Sequence, residues 1–176
     1  MNKRINFRIT GISPLLMHRF PLEPVPSIEK LPAGEQAEIS LYRRDDGTVY
    51  VPGIALQRAL VSGATYSKGK GRGSLQKPVS ACVLIEDEHL PLAEQDYTID
   101  ARAVVIPATK GRIVRYRPRF DDWQVEGSVM YDPQLLSETQ LRQVFDDTGS
   151  RVGLLDFRPE KKGPFGRFTV THWEQG

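Results

Sequence analysis

Apolar residues at Ile5, Phe7 and Ile9 alternate with Arg4, Asn6 and Arg8, the period of a strand with one buried face. The chain then leaves through Ser13-Pro14 into residues 21–35. Pro21, Pro24, Pro26 and Pro32 forbid a helix running through that stretch and predict an irregular insertion. Residues 37–43 and 48–51 flank Asp45-Asp46-Gly47 and predict a β-hairpin. After Pro52-Gly53, the recurrence of Ile54, Leu56, Ala59, Leu60 and Ala64 predicts a helix over 54–64 that ends in the glycine-rich stretch 67–73. Residues 79–85 read as a short buried strand, and 97–106 and 112–117 as two strands joined around Lys110-Gly111. Alternation returns over 123–131. Ser137 followed by Gln140 makes a capping box for a second helix reaching Asp147, with Gly149 as its stop. Phe168 and Val170 alternate with Arg167 and Thr169 in a last strand over 165–173.

Strand, insertion, helix, strands, helix, strand is an α+β order. It predicts a ferredoxin-like, RRM-like antiparallel sheet with two helices on one face, in one domain over 1–176. The Pro-rich segment and the hairpin form an insertion over 13–51. The second sheet face would be left open, and scaffolds of this kind bind single-stranded RNA there.

Composition adds exclusions. The chain has 176 residues, 39% hydrophobic and 26% charged, which suits a globular protein with a sizeable core. No apolar run approaches the roughly 20 residues that span a bilayer, so no membrane partner is expected. MNKRINFRIT reads as a strand and not as a signal peptide. Cys82 is alone, which argues against a disulfide framework or a cysteine-based zinc site and fits a reducing cytoplasm. No cofactor is implied.

Charge changes the picture most. The formal net charge is only +2, yet residues 67–77, 110–119 and 158–167 hold 13 of the 24 Lys and Arg against one acid, Glu160. In the first segment Lys68, Lys70 and Arg72 alternate with glycines and Lys77 follows. Glycine allows close backbone approach to a phosphate, but the spacing is not that of a P-loop. In the second, Lys110 and Arg112 lead to Arg115, Arg117 and Arg119. These three share one side of an extended strand, with Tyr116, Phe120 and Trp123 beside them. Cations two residues apart can follow successive phosphates while aromatic rings stack on bases. The third brings Arg158, Lys161, Lys162 and Arg167 between glycines and prolines. A bland alternative stands beside each: core aromatics, a solvated cationic face, a flexible linker.

Little else suggests chemistry. His18, His89 and His172 are scattered without ligand spacing, Glu86-Asp87-Glu88 reads as a solvated turn, and no nucleophile–base pairing or paired carboxylates emerge. Neither a catalytic nor a metal-binding residue is assigned.

Three pieces in order carry a resemblance: the first strand running into Gly11, the stretch Val51-Pro52-Gly53-Ile54-Ala55-Leu56-Gln57-Arg58-Ala59-Leu60, and Val152-Gly153 followed by Gly163-Pro164-Phe165-Gly166-Arg167-Phe168. Together they resemble the RAMP superfamily, the RNA-binding proteins of CRISPR effector complexes, and above all its backbone subunits. That resemblance implies adjacent copies along a guide RNA, partnership with other effector subunits, the glycine-rich terminal loop and the helix after Pro52-Gly53 facing the RNA backbone, and Lys161, Lys162 and Arg167 as phosphate contacts. The combination RPRF…W with FRPE…GPFGRF also looks like small phage-encoded proteins.

The leading expectation is therefore a non-catalytic module that holds single-stranded RNA or DNA in several copies. One alternative is a metal-independent RAMP-type endoribonuclease with His18 as general base. The other is a phage structural protein, or one that imitates a CRISPR subunit.

Overall fold

In a computed structural model, which describes residues 2–69, 71 and 73–176, the N-terminal alternation becomes strand β1 (Lys3–Gly11), with Ile5, Phe7 and Ile9 buried. A short strand β2 (Leu15–Leu16) follows, then helix α1 (Ala33–Ile39), strand β3 (Tyr50–Pro52) and helix α2 (Gly53–Gly63). Helix α3 (Gln76–Cys82) leads directly into β4 (Val83–Ile85), and β5 (His89–Pro91) pairs back onto β3. Strands β6 (Thr98–Val105) and β7 (Arg112–Phe120) form a long hairpin, and β8 (Gln124–Tyr131), α4 (Glu138–Asp147) and β9 (Phe168–Gln175) complete the chain. The protein is an α+β structure built on antiparallel sheets.

The principal sheet has the order β4-β8-β1-β9, every neighbour antiparallel. Its buried face meets α2 and α4 in one core. Phe145 of α4 packs tilted against Phe7 of β1 and edge-on to Trp173 of β9, both at 5.1 Å between ring centres. Leu56 and Leu60 of α2 join the same cluster. Gln57 ties α2 to the edge strand, donating to Val83 O at 3.0 Å and accepting from Ile85 N at 2.9 Å. The capping box at Ser137 and Gln140 is present. Among the described residues, no helix is long and apolar enough to cross a membrane.

A second sheet, β2-β7-β6, carries the arginine-rich strand and places Leu15 opposite Phe120. Helix α1 packs on it.

Three local expectations are corrected. Residues 37–39 are helical, because Ala-Gly-Glu-Gln-Ala-Glu-Ile starts directly after Pro32, the end of a helix that proline tolerates. The expected hairpin shrinks to one bridge between Arg43 and Val49. Residues 79–82 belong to α3, whose Pro78 sits in the first turn where its missing N–H costs nothing, and only Val83–Ile85 is strand. Gly149 does not stop α4: the chain continues through a wide turn, Thr148–Val152, and breaks at Gly153 with φ +74°. Gly149 instead permits a close approach, since a Cβ there would overlap the Phe168 carbonyl.

Candidate nucleic-acid interface

The open face of the principal sheet was the expected binding platform, and its chemistry is unsuited to one. Arg4 is paired with Glu86 at 2.6 Å, Arg8 with Glu126, and His172 with Glu174 at 3.3 Å. The Phe, Tyr and Trp side chains of these strands point inward: Phe7 and Tyr131 are buried, and Trp173 packs on Phe145. Among the described residues, bases would find there no Phe, Tyr or Trp ring and no arginine free of an acid.

The loop between α4 and β9 has the opposite character. Gly153, Leu155, Phe157, Lys162 and Gly166 all have positive φ, five of the nine such residues among those described. For side chains as bulky as Leu and Phe this backbone is costly and persists only where the surroundings overdetermine it. Here they do. Leu154 N–H donates to Gly166 O at 2.9 Å, Gly166 N–H to Pro14 O at 2.8 Å, and Arg158 Nη1 to Leu155 O at 2.8 Å. Phe157 and Phe165 pack at 5.9 Å between ring centres. The outcome is a rigid scaffold that sets Arg158 and Glu160 across a cavity from α2 and carries Lys161 and Lys162 on its exposed side.

Between this loop and α2 lies a cavity of about 280 Å³ lined by His18, Tyr42, Arg58, Asp156, Arg158 and Glu160, among others. Arg58 stands on the exposed side of α2, opposite Leu56 and Leu60. Arg158 forks onto Glu160 at 2.7 and 3.0 Å. Burial alone would raise the Glu160 carboxyl, but hydrogen bonds from Arg158 and Ser62 and the charges of Arg158 and Lys161 hold it below its usual range.

The three basic segments are brought together unequally. Arg115, Arg117 and Arg119 do share one side of β7, but that side faces the chain's own acids. Arg117 is 6% exposed, bonds Asp156 through Nη1 and lies 3.7 Å from Asp100. It is a structural cation, which corrects its assignment as a phosphate contact. Arg119 bonds Asp121 at 2.7 Å and lies over the Phe165 ring. Arg115 reaches the cavity rim, 3.5 Å from His18 Nε2. Trp123 is also corrected: it is 2% exposed, donates from its indole to Ser13 O at 2.8 Å and packs edge-on to Phe168, so no base can stack on it. Arg167 donates to Ser150 O at 2.6 Å, bracing the loop base.

Lys161 and Lys162 are exposed on the loop, and Lys110 and Arg112 are exposed at the turn of the β6–β7 hairpin. Lys68, just before α3, and Lys77, on it, are exposed; among the described residues, their segment approaches the loop region through Ser67 on Asp147 at 2.7 Å and Arg151 over the Tyr66 ring at 5.4 Å. Lys70 and Arg72 lie outside the described residues. The resemblance set the helix after Pro52-Gly53 against RNA, but sequence reading singled out neither Arg58 on that helix nor Tyr42. The signal for Arg58 was available: it is the one cation on a helix whose other face is apolar.

His18 sits at the cavity mouth, 3.7 Å from Asp156. Burial lowers its pKa below the usual 6.5; Asp156 opposes this, while Arg115 and Arg117 reinforce it. The unfolded chain therefore binds the His18 proton first as pH falls, so this group's contribution to stability shrinks on acidification below about pH 6.5. We expect the melting temperature to fall between about pH 7 and pH 5.5, and His18→Gln to flatten part of that slope. Parallel pH profiles for the two proteins would contradict the assignment.

Neither a protein-family model nor any curated protein matches the chain.

Proposed function

We propose that this protein is a non-catalytic module that holds single-stranded nucleic acid, RNA in the first instance, by its backbone. The strand runs between α2 and the 153–167 loop. The observation that carries this reading is the overdetermined left-handed backbone of that loop, which faces Arg58 across an open cavity and carries the exposed Lys161 and Lys162. Strain of this kind gathers at ligand sites, because a ligand benefits from donors that need no reordering. The reading includes a ferredoxin-like core, since β1, α2, β4, β8, α4 and β9 follow one another with the sheet order β4-β8-β1-β9. It extends to RAMP-like kinship and to binding in adjacent copies, with Lys110 and Arg112 on the hairpin as further backbone contacts.

Affinity for a labelled single-stranded 30-mer RNA is expected to fall at least about tenfold in the Arg58→Ala, Lys161→Ala, Lys162→Ala variant. The slope of log affinity against log salt should become shallower by about one for each contact removed. Unchanged binding by the triple variant would remove the proposal. The matching DNA strand and the mass of the complex report nucleic-acid type and copy number.

One arrangement favours a second reading, a metal-independent endoribonuclease. His18, whose pKa burial lowers, stands beside Arg115 and Asp156, and a base needs a cation near the developing charge. Cleavage without added metal that disappears in His18→Ala would favour it over the first.

A further inference from the structure

The cavity beside α2 has unspent binding capacity of a particular kind. Its volume of about 280 Å³ lies near the lower end of small-molecule sites and is enough for one nucleotide unit. Arg58, on its wall, makes no hydrogen bond or ion pair among the described residues. Asp156 is fixed by Arg117, which bonds only its Oδ2; Oδ1 accepts nothing among the described residues. A carboxylate has about four acceptor sites, so Asp156 can still receive two donors. Glu160 is already held by the Arg158 fork on its Oε2 and by a hydrogen bond with Ser62, which leaves it less capacity than Asp156. The rings of Tyr42 and His18 line the same space.

A ligand that satisfies all of this carries an anion for Arg58, a flat ring for Tyr42 and His18, and two adjacent N–H donors for Asp156. Among the common bases only guanine has two adjacent donors, N1–H and the exocyclic amine, on its pairing edge. Uracil offers one donor between carbonyls that a carboxylate repels, and adenine and cytosine set an acceptor beside their amine. Resting on the strand-binding reading above, we infer that the cavity takes one everted guanine nucleotide of the bound strand, its phosphate on Arg58 and its pairing edge on Asp156. Single-stranded RNA is read in this way, by splayed bases whose edges are hydrogen-bonded in pockets. The module would then hold most of a strand without regard to sequence and register it at one position.

Calorimetric titration of the whole protein with GMP, AMP, CMP, UMP and inorganic phosphate tests this. GMP is expected to bind at least about tenfold more tightly than AMP, a fitting scale for a two-donor base contact. Arg58→Ala, on an exposed helix face, should weaken all nucleotides alike. Asp156→Asn, which keeps shape but adds a donor, should remove the preference for GMP, with circular dichroism confirming the fold. Equal affinities for the four nucleotides, or phosphate binding as well as GMP, would overturn the inference without recourse to any variant. A 30-mer lacking guanine, titrated in parallel, separates the two readings. Binding of that strand with no GMP binding defeats the cavity alone, and failure of both defeats the strand reading as well.

Discussion

Arg117→Leu is expected to destabilise the protein by about 3 kcal/mol, seen as a lower urea midpoint at unchanged slope. The guanidinium is almost fully enclosed between Asp100, 6% exposed at its side chain, and Asp156, 30% exposed. Removing it leaves a buried carboxylate short of a partner, which costs more than the pair itself contributes. The figure stays at the low end because Arg102 still holds Asp100 at 2.9 Å and water can reach Asp156. Asp100→Asn in the same chain should restore part of the loss, since it removes the stranded charge. A phosphate contact would behave differently, with stability intact and affinity reduced. A loss of under about 1 kcal/mol would therefore overturn the structural role.

Gly163→Ala is expected to cost up to about 3 kcal/mol and to weaken RNA binding at least about tenfold, because one methyl group would open the loop. A Cβ on Gly163 would overlap the carbonyl oxygen and carbon of Phe157. That carbonyl also accepts the Phe165 N–H at 3.2 Å, and Gly163 N–H donates to Arg158 O at 3.0 Å, so this crossing keeps Phe157 in its left-handed conformation. Forced apart, the loop no longer holds Arg158 at the cavity or fixes the backbone that carries Lys161 and Lys162. Lys161→Ala with Lys162→Ala is the control: affinity should fall while the melting temperature stays within a degree or two, surface charges contributing little. Wild-type binding by a folded Gly163→Ala protein would show that loop conformation is irrelevant to the site.

Much of the framework was legible in the chain because it rests on local rules. The alternation at Ile5, Phe7 and Ile9, the helical spacing after Pro52-Gly53, and the Ser137–Gln140 box each declare their element within a few residues. The misread elements were those in which two local rules compete. Val79–Ile85 is apolar enough for a strand, yet Pro78 opens a helical turn that consumes half of it. Residues 37–39 sit beside a good turn signal, yet follow a proline that starts a helix. Gly149 looked like a stop and is a contact, because its role depends on Phe168, nineteen residues away.

The candidate site divides along the same line. Which residue types are present, how the cations cluster along the chain, and that a glycine-rich turn precedes the last strand are properties of the sequence alone. Which cations remain available is not, because electrostatic pairing depends on distance in space and the acids come from elsewhere in the chain. Asp100, Asp121 and Asp156 lie outside the basic segments and neutralise Arg117 and Arg119, while Arg58, solitary in sequence, faces the cavity unpaired among the described residues. Trp123 was drawn into the core for a related reason: its ring fills the space over Gly11, where no Cβ would fit. Periodicity determined the elements; only their packing decided which charges and rings were left for a ligand.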